Sequence, residues 1–175
     1  MKSAMTDEQP LGAEGLFQRL EALGIDYQTH SHPPVFTVEE AKALRGTLPG
    51  AHVKNLFLRD KKKRIWLVTA LEERQIDLKA LKRRLGAQGS LSFGSAELLL
   101  EVLGVQPGSV TPFGVVNDRA GRASVVLDKG ALEKGPVNAH PLRNDMTTAV
   151  SSDGLLRFLE AEHHVPEIID FGAPI

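Results

Sequence analysis

Near the start of the chain, Leu16, Phe17, Leu20 and Leu23 recur at helical spacing, and Gly24 follows where a left-handed cap belongs. Residues 13 to 23 therefore read as an amphipathic helix. Ile25 to Thr29 forms a short extended piece, ended by the prolines of SHPPVFTVEEAKALRG. In that segment Thr37 and Glu40 make a capping box for a second helix that closes at Gly46. The pattern then changes period. HVKNLFLRDKKKRIWLVTAL holds two apolar runs around a charged tip, which predicts a β-hairpin from about 52 to 70. Its second arm, Ile65 to Ala70, is apolar on both faces, so it should be a central strand covered by helices. Asp77 caps a third helix in which Leu78, Leu81 and Leu85 face inward, Lys79, Lys82, Arg83 and Arg84 face out, and Gly86 ends the run. A fourth helix, about 95 to 103, ends at Gly104.

Further on, Val115–Val116 and Ser124 to Leu127 flank NDRAGR, predicting a second hairpin. Val137 to His140 and Thr147 to Val150 add extended segments around HPLRND, and Ser151, Ser152 or Asp153 starts a last helix carrying Leu155, Leu156, Phe158 and Leu159. No repeat, linker or low-complexity tract interrupts the series. The expectation is one α/β (α+β) domain over 11–175, a mixed and largely antiparallel sheet flanked by helices, behind a flexible polar stretch at 1–10.

Composition narrows the classes. At 175 residues and 42% hydrophobic content the chain can close a real core. MKSAMTDEQP lacks the apolar stretch of a signal peptide, and no run of apolar residues is long enough for a membrane span, so a soluble cytoplasmic protein is expected. With no cysteine, thiolate nucleophiles, zinc ribbons, iron–sulfur clusters and disulfides are excluded. The net charge of −1 conceals an asymmetry. Between Lys54 and Arg84, eleven Lys and Arg face four acids, a local excess of +7. Such a block reads either as a footprint for a phosphate backbone or as a solvated hairpin tip and helix face.

Several familiar sites are missing: there is no P-loop, no G-x-G-x-x-G, no H-E-x-x-H and no G-x-S-x-G. His163 and His164 end the last helix, where imidazolium suits the dipole better than a metal, and His30 with His32 lacks a companion ligand. No metal and no cofactor is expected. Lys54 is unusual because strand alternation puts it on the face of Leu56 and Leu58, so that it either snorkels to an edge or meets an anion in a cleft. GVQPGSVTPFG, residues 104 to 114, is either a rigid helix-to-strand connection or a bend whose amides at Gly108, Ser109, Val110 and Thr111, stiffened by Pro112, cradle an oxyanion.

HVKNLFLRDKKKRIWLV, LSFGSAELLLEVLGVQPGSVTPFG and HPLRNDMTTAVSSDGLLRFL, taken in order over roughly residues 16 to 171, resemble the prolyl-tRNA editing family of ProX/YbaK-like aminoacyl-tRNA deacylases. The resemblance implies hydrolysis in trans of the ester joining a wrong amino acid to proline tRNA, with the freestanding alanine-clearing type as the nearest branch. It also implies Lys54, Gly108 and His140 as catalytic residues, and Asn55, Ser109, Val110, Thr111, Pro112, Asn144 and Thr148 around the substrate. Lys61, Lys62, Lys79, Lys82, Arg83 and Arg84 would then contact the acceptor arm of the tRNA, and prolyl-tRNA synthetase is a further partner. The ammonium of Lys54 is expected to face the 108–112 bend across a narrow cleft. No residue makes a convincing protein nucleophile, which points to attack by water aided by the ribose hydroxyl of the substrate. The alternatives are clearance of cysteine or another small amino acid, or a non-catalytic tRNA-binding or synthetase-associated module. A DNA-binding role lacks a helix-turn-helix.

Overall fold

A computed structural model of the chain describes residues 9–34, 39–40, 43 and 48–175. Its centre is β3 (Ile65–Leu71), in which all seven side chains are buried, as the two-sided apolar run requires. β3 pairs antiparallel with β2 (Ala51–Arg59) across the charged tip, with Asn55 opposite Thr69. On its other side it pairs in parallel with β5 (Ala123–Asp128), which pairs in parallel with β8 (Glu167–Ile169). β2 also takes β6 (Val137–Ala139) in parallel, and beyond it β7 (Met146–Val150) and β1 (Tyr27–Ser31) follow antiparallel. The two-residue β4 (Ser92–Phe93) attaches antiparallel to the far end of β2. Among the described residues this is one mixed sheet, ordered β1-β7-β6-β2-β3-β5-β8 with β4 on β2.

Helices cover both faces. Leu16 and Leu20 of α1 (Ala13–Ala22), Leu99 and Leu103 of α3 (Ala96–Leu103) and Phe158 of α5 (Ser152–Ala161) pack on the face of Phe57, Ile65 and Leu67. Phe113 and Phe158 meet edge to face there, with ring centroids 5.6 Å apart. Leu81 of α2 (Leu78–Leu85) covers Leu58, Trp66 and Val68 on the opposite face. Each fully buried leucine contributes about 1.5–3 kcal/mol from removal of apolar surface from water. The expected caps form: Asp77 accepts from the Lys79 amide at 2.9 Å, Ser95 from Leu98 at 3.1 Å and Ser151 from Gly154 at 2.9 Å, while Gly86 turns left-handed after α2.

Two differences from the sequence reading stand out. The hairpin expected around NDRAGR does not form, because Pro112–Asn117 is a 3₁₀ helix rather than a strand. Thr111 starts it by accepting from the Phe113 amide at 3.2 Å, and Asp118 then closes the loop on the amides of Arg122 and Ala123. α4 (Lys129–Lys134), β4 and β8 are additions, each too short to leave a periodic signal. Of the helix expected from Thr37 to Gly46, residues 39, 40 and 43 are described and are helical, and the rest lies outside the described residues, as does most of the 1–10 stretch.

Candidate functional site

β2 is paired by β6 only at Ala51 and His52 and by β4 only at Leu58 and Arg59. Between these points, among the described residues, one edge of the strand carries no partner strand, and residues 53 to 56 are half-buried rather than enclosed. The Gly94 amide closes one end of the gap on the Phe57 carbonyl at 2.9 Å. Val53 on the strand, Val110 of the glycine and proline loop, and Leu142 of the turn after β6 all belong to the main core on this side. The V-K-N strand, the G-x-x-x-P loop and the H-P-x-x-N turn, far apart in sequence, thus each border the main core.

Lys54 lies on the face of Leu56 and Leu58, as alternation requires. Its ammonium donates to the carbonyl of Arg74, whose guanidinium is in turn held by the buried carboxylate of Asp128 at 2.9 Å. Asp128 also accepts from the amides of Leu71 and Gly130, so the whole turn after β3 is fixed. Nothing local in the sequence announces the Arg74–Asp128 contact, which spans 54 positions. The loop, in contrast, packs through Val110 into the core on the Val53 and Phe57 face. The ammonium expected to face the loop amides is, in the structure, turned to the Arg74 carbonyl.

The loop leaves fewer amides unbonded than the four named from the sequence. The Ser109 amide is committed to the Gln106 carbonyl at 3.0 Å, and Ser109, Thr111 and Pro112 are buried. Gly108, exposed at φ 94°, and half-exposed Val110 keep amides without a hydrogen bond among the described residues. Asn55 accepts the Thr69 hydroxyl at 2.6 Å. Asn144 is half-buried and makes no side-chain hydrogen bond among the described residues. Thr148 is fully enclosed and bonded to the Thr29 hydroxyl at 2.8 Å, so it is part of the wall rather than a surface.

His140 sits half-buried at the end of β6. Its Nδ1–H donates to the Met146 carbonyl at 3.1 Å. Since a carbonyl only accepts, the neutral ring carries its lone pair on Nε2. Burial pushes the His140 pKa below the ordinary histidine value; the Met146 carbonyl opposes this in part, and His32 nearby adds to it. His32, which also bonds the Thr147 hydroxyl at 2.8 Å, is a neighbour that sequence spacing did not reveal.

The basic residues separate into groups. The buried Asp60 carboxylate accepts from the amides of Lys62, Arg64 and Gln88 and from the Arg64 guanidinium, while Lys61, Lys62 and Lys63 stay exposed. Arg64 continues to the Gly86 carbonyl at 2.7 Å, tying the hairpin tip to the end of α2 that carries Lys82 and Arg83. Lys79 and Arg83 are exposed and Lys82 is half-buried. Arg84 is paired with Glu167 instead. His164 is buried against Asp118 at 2.9 Å, a long-range pair where the sequence suggested a helix-end charge. A separate cleft of about 1000 Å³ lies between Gly24–Gln28 and Gly135–Pro136; Glu21, Asp26 and Glu133 on its wall disfavour phosphate, and none of the predicted site residues lines it. Among the described residues no helix is long and apolar enough to cross a membrane.

The aminoacyl-tRNA editing domain matches residues 32–158, a span that holds the open edge of β2, the loop and His140. The chain belongs to the aminoacyl-tRNA editing domain family. It is similar to prolyl-tRNA synthetase associated domain-containing protein 1 of Mus musculus, 44% identical over 160 residues, 89% of this chain and 94% of that protein. It is also similar to the prolyl-tRNA editing protein ProX of Acetoanaerobium sticklandii, 35% identical over 158 residues, 90% of this chain and 96% of that protein. A crystal structure described as a candidate trans-editing enzyme for prolyl tRNA synthetase shares the fold, with a TM-score of 0.70 and 22% identity over 90% of this chain and 94% of its own.

Proposed function

We propose that this protein is a trans-acting deacylase that hydrolyses the ester between misplaced alanine and the 3′ end of proline tRNA. The carrying observation is an uncompensated cation at an interrupted sheet edge: Lys54 has a neutral carbonyl as its partner and, among the described residues, no ion pair. A phosphate of the terminal nucleotide is the anion such a group would meet, by releasing Arg74 and swinging to the rim. The relative named as the editing protein ProX and the synthetase-associated relative support the tRNA context. Alanine follows from sieving, because a site shaped for proline rejects a smaller side chain by only about 1–3 kcal/mol, which leaves work for a second enzyme.

The amides of Gly108 and Val110 receive the carbonyl oxygen as it gains charge, while Ser109, Thr111 and Pro112 hold the bend in shape. Asn55 positions the nucleotide beside Lys54, and His140 with Asn144 bounds the amino-acid pocket. His140 offers Nε2 as an acceptor to the amino acid or to the attacking water. Water attacks, oriented by the neighbouring ribose hydroxyl, and the reaction needs no cofactor. The test is deacylation of alanyl-, cysteinyl- and prolyl-tRNA by the wild type beside Lys54→Ala. Alanyl-tRNA should be cleaved and prolyl-tRNA spared, with the alanyl rate falling about 100-fold or more in the variant. No release of alanine by the wild type would end this reading, and faster release of cysteine would change the substrate.

A further inference from the structure

Phe93 is 63% exposed, and among the described residues it is the one aromatic ring left mostly to solvent. It stands directly opposite Leu58 on β2, which places it on the same sheet face as Lys54 and Leu56, at the outer end of the unpaired edge. Gly94 follows it; a Cβ there would come within 2.5 Å of the Phe57 ring, so the chain runs flat against the strand and the Phe93 ring stands clear. Beyond Phe93 come exposed Arg59 and the tip lysines Lys61, Lys62 and Lys63, and among the described residues none of these four is in an ion pair. An exposed ring flanked on one side by a lone cation and on the other by a basic tip matches the chemistry of a single nucleic-acid strand, with a π-face for a base and positive charge for its backbone.

We propose that Phe93 is a stacking platform for an unpaired base of the tRNA 3′ tail, with Arg59 and the tip lysines gripping the phosphates where the tail joins the duplex. This rests on the deacylase reading for the identity of the RNA. The spacing suits it. From Lys54 to Leu58 is ~13 Å at the rise of a strand, the rise of about four stacked nucleotides. With the terminal adenosine at Lys54, the ring meets a base about four stacking steps back along the tail, and the basic tip meets the phosphates beyond it. Leu56, half-buried between them, offers an apolar floor.

Binding of an acceptor-arm RNA hairpin carrying a single-stranded 3′ tail ending in CCA, compared with the same hairpin made blunt, tests this by fluorescence anisotropy at one ionic strength. The wild type should prefer the tailed RNA. Phe93→Ala should weaken that complex roughly 5- to 150-fold, the range for loss of one base–aromatic stack, and leave the blunt RNA unaffected. Phe93→Trp should retain the preference. Equal binding of tailed and blunt RNA by the wild type, or tailed binding untouched in Phe93→Ala, overturns the platform; a ring that serves a protein partner instead would give the second result. Alanyl-tRNA turnover by the wild type, measured separately, reports on the deacylase reading, so a failure of either is recognised by itself.

Discussion

His140 holds its proton on Nδ1 because the Met146 carbonyl lies 3.1 Å away, and that one bond decides what the rest of the ring can do. With its pKa depressed by burial and by the neighbourhood of His32, the ring is neutral at physiological pH and Nε2 accepts. Protonation in acid removes the acceptor and sets a positive charge beside His32. Deacylation should therefore rise with pH through a midpoint below the ordinary histidine value of about 6.5 and then level off. In His140→Gln, which keeps an amide acceptor but cannot titrate, kcat/KM measured from about pH 5 to 8 should lose that acid limb. If the limb persists unchanged in the variant, another group titrates and His140 is only part of the wall.

At the level of elements, the basic hairpin tip and the end of α2 form one surface because Asp60 and Arg64 tie them together. Charge reversal at Lys82 and Arg83 should raise KM for full-length tRNA and flatten its salt dependence, by about 0.7–0.9 in the log–log slope for each phosphate that the protein no longer neutralises. Arg84→Glu should do less, since Arg84 is engaged with Glu167. KM titrated against salt for each variant checks both statements, and an unchanged slope in the Lys82 and Arg83 variant would return that face to plain solvation. The same elements show what was readable beforehand. The hairpin, its buried second arm, α2 with its Asp77 and Gly86 caps and the last helix follow from periodicity and cap chemistry, which act over a few residues. The 3₁₀ helix in place of a strand escaped because Val115 and Val116 are apolar in either state and the deciding bond is a threonine cap. The interruption in the pairing of β2, and the commitment of Lys54 to Arg74, escaped for another reason. Both are set by Asp128 and β6, more than fifty and eighty positions away, and no local pattern encodes such contacts.

Across the whole molecule, the buried pair of His164 and Asp118 fastens the end of α5 to the loop entering β5. Burial by itself would lower the His164 pKa, but the carboxylate of Asp118 and the Glu162 carbonyl more than offset it, so the pKa is raised. Burial would raise that of Asp118; the bond from His164 and the amides of Ala123 and Arg122 reverse this, so it is lowered. The histidine contribution is then complete below its unfolded value of about 6.5 and is lost as pH rises through the higher folded value; the aspartate contribution is complete above about 3.9 and is lost as pH falls through the lower one. Urea unfolding should show a plateau between those limbs. His164→Ala should cost about 3–5 kcal/mol on that plateau by stranding a buried carboxylate, and the gap to wild type should narrow in alkali. A gap that is constant with pH would mean that the ring acts by packing alone.

The pairing of β1 with β7 has a kinetic meaning. Thr29 and Thr148 are 119 positions apart, whereas Asn55 and Thr69 in the central hairpin are separated by 14. Closing the longer loop costs about 2 kcal/mol more chain entropy, so β2 and β3 come together early and β1 joins at the edge last. β1 delivers His32 to the neighbourhood of His140. A nascent chain would thus acquire that histidine couple only when β1 zips home, and the surroundings of His140 would be complete only at the end of folding.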